Sequence, residues 1–385
     1  MSLYERWSTT LDSLKQQGRF RAFSLPQGID FTSNDYLGYG NGRLPPIVNE
    51  RSESHDSLTR SGMASRLLRG HHAIWENVET ALAHWHNCES VLMMSSGYAA
   101  NEGLLSTICE PADWVAYDEL CHACIIDGLR LARSRRFSYR HNDLNHLEEG
   151  LRAEAARPID GREKFIVTEA LFSMDGDRAP VREIVQLGER YGAHVIFDEA
   201  HSTGCFGPGG SGCVDEAGLR DRILASIHTG GKSLGVPGAY VAGSTLLKDY
   251  LINRCRHLIF TTAMPSLCGT WWLEMLPKVR SDQIGRLALF ELSAQFRAEL
   301  QRRGVEALGS HYIVPIVLGD DSRAVQAARN LQRLGYDIRA IRPPSVPPGT
   351  SRLRISIHAD HDASVLKDLA EVIAREYVAS CAVLG

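Results

Sequence analysis

Short apolar runs recur at 91–94, 114–117, 165–168, 194–197, 223–227 and 240–242, each bounded by turn-forming residues. Between them, the stretches 74–86, 99–108, 125–133 and 181–191 mix polar and apolar positions at helical period. Strand alternating with helix predicts an α/β fold, a mostly parallel sheet with helices on both faces. Sheets of this kind carry their chemistry just beyond the carboxyl ends of the strands, which says where to look for function. After about residue 265 the pattern changes to a long helical region (267–304), a strand (312–318), a helix (322–334), a strand-like stretch (351–358) and a final helix. That order predicts a smaller C-terminal α+β domain, with the proline-rich turn RPPSVPP at 342–348 inside it. At the other end, Leu3, Trp7, Leu11 and Leu14 among Glu5, Arg6, Asp12 and Lys15 read as a surface helix. The expected organisation is an N-terminal segment 1–45, a large domain 46–265 and a small domain 266–385.

Composition narrows the function classes. With 42 Lys+Arg against 46 Asp+Glu the formal charge is −4, and neither sign forms a long block. The electrostatic footprint of a nucleic-acid or acidic-membrane binder is missing. An apolar content of 44% with 23% charged residues is that of a globular chain, not a disordered or fibrous one. Nine scattered cysteines, an odd number, read as reduced thiols. No secretory h-region and no stretch of ~18 uninterrupted apolar residues is visible, so the expected location is the cytoplasm.

Candidate chemistry sits at the predicted strand ends. Asp198 and His201 lie three residues apart where the run 194–197 stops. An Asp at such a point also caps helices and joins structural ion pairs. The next strand runs into HTGGKSLG at 228–235, where Lys232 is flanked by small residues. A lysine partly desolvated at a strand end has a lowered pKa and an amine free for Schiff-base chemistry. A phosphate-binding GxxxxGK[ST] loop is excluded there, because its first glycine would fall at Ser226, inside the strand. The strand at 165–168 leads toward Ser173 in a Gly/Asp turn, and SSGYAAN at 95–101 opens a helix whose free N–H groups suit a phosphate. Cys121 and Cys124 have a CxxC spacing but no second pair at zinc-finger distance, and fifteen histidines show no ligand spacing, so no metal is expected. A strand-end acid, a glycine-embedded lysine and a phosphate-ready helix start together meet the needs of pyridoxal 5'-phosphate (PLP): Asp198 for the pyridine nitrogen, Lys232 for the imine, and Gly97 with Tyr98 for the phosphate.

Seven motifs in order, FTSNDYLG at 31–38, ASRLLRG at 64–70, SGYAAN at 96–101, DELCHA at 118–123, DEAHSTG at 198–204, GKSLG at 231–235 and RLRIS at 352–356, make the chain resemble the α-oxoamine synthases, which have the type I PLP-dependent transferase fold. The resemblance implies a seven-stranded, mostly parallel sheet, with the N-terminal segment contacting substrate. It implies that Lys232 carries the cofactor and moves the proton, that Asp198 pairs with the pyridine nitrogen, and that His201 meets the phenolic oxygen. His122 stacks on the ring on the substrate side, Ser173 contacts the cofactor, and Gly97, Tyr98 and Thr229 hold the phosphate. Asn34 and Arg354 look like amino-acid-binding positions; Arg352 shares a strand face with Arg354, and Arg354 is favoured. Arg21, Arg342 and Ser345 resemble positions near the acyl chain. The branch favoured condenses L-alanine with a pimeloyl thioester, carried by coenzyme A or an acyl carrier protein, on the way to biotin. Sister enzymes that use glycine with acetyl-CoA or a succinyl thioester share the same lysine core, and a catalytically silent scaffold subunit is the remote alternative. A homodimer with shared clefts is implied, with Thr261 and Thr262 as the cross-subunit phosphate contact. Met63, Cys124 and Cys205 depart from the family's usual residues, and HTGGK at 228–232 is an unusual spelling of the lysine loop.

Overall fold

The computed structural model describes residues 1–40, 58–157 and 161–381. The first helix, α1 (Leu3–Gln16), starts at a capping box: the Ser2 hydroxyl accepts from the Glu5 N–H and Glu5 accepts from the Ser2 N–H. A short strand, β1 (Ile29–Asp30), follows. The chain then runs through α2 (Ala73–His86), β2 (Ser90–Met94), α3 (Gly97–Ile108), β3 (Trp114–Asp118), α4 (Ala123–Ala132), β4 (Arg135–Tyr139), α5 (Leu144–Ala155), β5 (Lys164–Glu169), α6 (Val181–Tyr191) and β6 (His194–Asp198). After these come α7 (Cys213–Glu216), β7 (Ala225–Thr229), β8 (Ala239–Gly243), α8 (Thr245–Arg254), α9 (Arg256–Ile259), α10 (Leu267–Ser281) and α11 (Gln283–Arg302). The remainder is β9 (Ile313–Gly319), α12 (Asp321–Arg333), β10 (Tyr336–Asp337), β11 (Arg339–Ile341), β12 (Ser351–Ser356) and α13 (Ala363–Cys381).

The contacts divide the chain into two units, one of residues 37–172 and 178–283, the other of 1–36, 173–177 and 284 onward. The larger unit holds a seven-stranded sheet in the order β2-β8-β7-β6-β5-β3-β4, parallel except for β8, which runs antiparallel to both neighbours. This is the doubly covered α/β sheet that the alternation of runs and helices predicts. Six strands are buried almost throughout, as they must be with helices on both faces. The seventh, β4, is not an apolar run. Its RRFSY sequence alternates exposure as an edge strand does, so hydrophobic patterning passes over it. The strand expected at 223–227 lies two residues later, because 220–222 form a 3-10 turn and pairing with β6 begins only at Ala225. Thr229 is therefore the last residue of β7.

The smaller unit has a three-stranded antiparallel sheet, β11-β12-β9, and a parallel pair, β1 with β10. That pair, together with the Ser356 N–H donating to the Phe31 carbonyl, groups the first 36 residues with the C-terminal part of the chain. The expected boundary at 45/46 lies outside the described residues. The division after 283, rather than at 265, follows from α10, which packs on α2 and whose Trp272 Nε1 donates to the Pro237 carbonyl at 2.9 Å. The long helical region expected at 267–304 is two helices, broken at Asp282. No helix among the described residues is long and apolar enough to cross a membrane.

Candidate active site

Parallel pairing sets Glu169 on β5 beside Asp198 on β6, and Asp198 beside Ile227 on β7, so the carboxyl ends of three strands lie along one edge of the sheet. Asp198 is 5% exposed there. One of its oxygens accepts from Asn101 Nδ2 and the other from the Ala200 N–H, both at 2.8 Å. These bonds fix the carboxylate plane before any ligand arrives. Immediately past Thr229 the chain turns tightly: the Gly230 N–H donates to the Gly238 carbonyl, and the Val236 N–H returns to the Gly230 carbonyl. Lys232 projects from this turn with its Nζ 2.8 Å from His201 Nε2.

Helix α3 begins at Gly97 with Ser96 as its cap, the Ser96 hydroxyl accepting from the Ala99 N–H. The N–H groups of Gly97 and Tyr98 have no acceptor within the helix, and the helix dipole adds positive potential at this end. His122 caps α4. Its Nδ1 accepts from the Cys124 N–H at 3.2 Å and lies 2.9 Å from Cys124 Sγ, so Nδ1 serves as an acceptor. Enclosure of the ring, and beyond it the charge of Lys232, lowers the His122 pKa against the opposing pull of Asp198. With Nδ1 accepting from the Cys124 N–H, the geometry fits the neutral imidazole with its proton on Nε2.

Gly97, Tyr98, His122, Asp198, His201, Thr229 and Lys232, all singled out in the sequence, line one cavity of about 220 Å³ with Asn101, Cys124, Glu169 and Ala200. The residues fit PLP: an amine, a fixed carboxylate and a helix start with free N–H groups face a single space. Asn101 Oδ1 is buried at its wall without a hydrogen-bond donor among the described residues. Sequence reasoning assigned no role to Asn101, which orients Asp198, or to Glu169, whose carboxylate accepts from the His122 N–H at 2.7 Å. The signal for Glu169 was present, an acid closing an apolar strand just as Asp198 does. The partner of Asn101 is 97 residues away and leaves no local trace. Cys121 and Cys124 are both buried and free, and no metal-holding cluster occurs among the described residues.

The remaining candidates lie elsewhere. Thr261 and Thr262 are exposed and border a small separate pocket of the larger unit. In the smaller unit, Arg354 is 6% exposed and donates to the Ser173 carbonyl at 2.6 Å, the Ser356 hydroxyl at 2.9 Å, Asn34 Oδ1 at 2.8 Å and the Tyr36 hydroxyl at 3.2 Å. No carboxylate among the described residues pairs with it. Arg352, on the same strand, forms an ion pair with Asp175 at 2.7 Å. Arg21, Arg342 and Ser345 line a cavity of about 160 Å³ together with Arg19, whose charge is met by Asp321 at 2.6 Å. Burial, and then the neighbouring guanidiniums, lower the Arg342 pKa.

The sequence family described as aminotransferase class I and II matches residues 26–373. The 8-amino-7-oxononanoate synthase of Chlorobaculum parvum is 37% identical over 375 residues, 96% of this chain and 94% of that protein. That of Anaeromyxobacter dehalogenans is 41% identical over 340 residues, 87% and 83% of the two chains. Among solved structures, a variant serine palmitoyltransferase from S. paucimobilis with a bound PLP–myriocin aldimine superposes with a TM-score of 0.89 at 25% identity, covering 99% and 100% of the two chains. The 8-amino-7-oxononanoate synthase of Francisella tularensis gives 0.72 at 26% identity over 91% and 97%.

Proposed function

The chain belongs to the aminotransferase class I and II family, and from that premise we propose that it is a PLP-dependent acyltransferase that condenses L-alanine with a pimeloyl thioester. The products are 8-amino-7-oxononanoate, CO2 and the free thiol carrier, coenzyme A or an acyl carrier protein. The observation that carries the reading is the cavity at the strand ends, where Lys232 Nζ, the Asp198 carboxylate and the start of α3 face one space. When bound there, PLP supplies a ring that accepts the electron pair left by a departing proton or carboxylate.

The chain's own groups then have distinct tasks. Lys232 holds the cofactor and afterwards takes and returns the proton at the amino acid's Cα. Asp198, fixed by Asn101 and Ala200, keeps the pyridine nitrogen protonated. His201, 2.8 Å from Lys232 Nζ, would hold the cofactor's phenolic oxygen, and His122 would pack against its ring. Gly97, Tyr98 and Thr229 take the phosphate, Ser173 adds a cofactor contact, and Thr262 does the same from the neighbouring subunit of a homodimer. Arg354, which pairs with no carboxylate among the described residues, receives the alanine carboxylate alongside Asn34. Arg21, Arg342 and Ser345 receive the far end of the acyl chain; a pair of guanidiniums suits a free carboxylate better than an ester.

The test is an absorbance scan of the PLP-loaded protein with L-alanine, glycine and L-serine in turn, followed by turnover on a panel of thioesters. We expect a yellow protein, loss of the visible band in Lys232→Ala, and fastest turnover with L-alanine and pimeloyl thioester. A preference for glycine with an acetyl or succinyl thioester would overturn the substrate assignment and leave the cofactor site standing.

A further inference from the structure

Beneath the Lys232 turn lies a buried polar chain whose proton positions are fixed by its own chemistry. Arg220 has no acceptor capacity, so it donates to the Ser226 hydroxyl. Ser226 keeps a second acceptor site, so the direction is set from the far end. The Glu199 carbonyl only accepts, so Thr203 donates its one proton there, at 2.7 Å, and accepts from His228 Nδ1, also at 2.7 Å. Neutral His228 leaves Nε2 to accept from Ser226, 2.7 Å away. The direction is the same at every link, and Ser226, His228 and Thr203 are at most 1% exposed.

The surroundings keep His228 uncharged. Tyr240 stacks on it with ring centroids 4.8 Å apart and planes 12° from parallel, and His86 lies 4.2 Å away on centroids. Arg220 is the nearest cation, and its own charge is balanced by Asp215 at 2.9 Å. Asp215 also accepts from His86 Nδ1, while the Tyr240 hydroxyl donates to His86 Nε2. Burial, reinforced by His86 and Arg220, drives the His228 pKa far down.

Both ends of this chain matter to the cavity. His228 stands on β7, four residues before Lys232, and Thr203 closes the turn 199–203 that contains His201. Glu199, the first residue of that turn, is anchored on its other side by the N–H groups of Cys213 and Val214. We propose that His228 is a positioning residue that ties the His201 turn to the strand launching Lys232, and so sets the approach of His201 Nε2 to Lys232 Nζ. The inference rests on the reading that this cavity binds PLP. It assigns a role to the first residue of the unusually spelled lysine loop 228–232, a buried histidine both of whose ring nitrogens are used.

Two variants cut the chain with little change of shape. His228→Phe keeps an aromatic ring to stack on Tyr240, at somewhat larger volume; Thr203→Val replaces the hydroxyl by a methyl group. Each PLP-loaded protein is titrated with pH while the visible band is followed, and cofactor loss on dialysis is timed. Each single variant should shift the midpoint of the band by three- to tenfold in proton affinity, about the worth of one buried hydrogen bond, and speed cofactor loss. The double variant should shift it no further than the larger single change, because one chain is broken only once. Thr203→Val alone decides the matter should His228→Phe not fold. A midpoint unmoved in folded variants, or shifts that simply add, would overturn the proposal. Wild-type protein showing no visible band with PLP would instead overturn the cofactor reading, and this inference with it.

Discussion

At the residue scale the sharpest distinction is between two arginines on one strand. Arg352 and Arg354 are separated by period two and equally buried, and a sequence pattern cannot divide them. Their partners do. Arg352 meets the Asp175 carboxylate, while the acceptors of Arg354 are a carbonyl, two hydroxyls and an amide oxygen, all neutral. A cation held by neutral groups has an unmatched charge to offer a ligand. We therefore expect Arg354→Ala to raise KM for L-alanine by about 10- to 100-fold, the loss of one charge-assisted contact, with KM for the thioester unchanged. Arg352→Ala should leave both constants within about threefold and appear instead as a lower melting temperature, from the unpaired charge left on Asp175. Steady-state kinetics and thermal unfolding of the pair of variants check both halves of the expectation.

At the element scale, the turn between β7 and β8 shows how the lysine is held. Gly230 is the pivot: a Cβ there would stand 2.5 Å from the Trp272 ring and 2.5 Å from the Val236 carbonyl. Trp272 comes from α10 and is itself fixed by the Pro237 carbonyl, so neither neighbour has room to give. Gly230→Ala should accordingly destabilise by about 1–3 kcal/mol through overpacking and weaken PLP retention, whereas Gly218→Ala, in open space at a left-handed turn, should leave retention unchanged. Chemical denaturation and dialysis of the two loaded variants measure the contrast. The opening of α3 was readable from SSGYAAN because capping is local. The turn was not, because its tightness is imposed by a tryptophan 42 positions away.

At the scale of the whole molecule, buried neutral histidines set a pH limit on stability. Burial pushes the pKa of His86 down to about 4 despite its bond to Asp215, and burial together with His358 does the same for His361. In the unfolded chain both would titrate near 6.5, so the unfolded state binds more protons as pH falls below that value and stability declines with pH until the folded pKa is reached. Between pH 6.5 and 5, before most carboxylates respond, each histidine should cost about 2 kcal/mol. Urea denaturation at pH 7 and pH 5 checks this; the drop should shrink by about one histidine's share in a His361→Asn variant, and no change with pH would refute it.

What the sequence by itself determined were the features that rest on neighbours in the chain: alternating strands and helices, a helix start rich in small residues, an acid closing a strand, and a lysine among glycines. Those local signals sufficed for the α/β fold and for five of the residues that line the cavity, Gly97, Tyr98, Asp198, His201 and Lys232, while His122 and Thr229 came from the family resemblance. Tertiary structure alone decided the edge strand β4, which has no apolar run, the grouping of the first 36 residues with the C-terminal part, and the partners of Asp198, Arg354 and His228. Apart from the local bonds to Ala200, Ser356 and Ser226, each of those rests on backbone pairing or hydrogen bonding across tens to hundreds of positions. The energy of such contacts depends on where the chain returns in space, and spacing along the sequence carries no record of it.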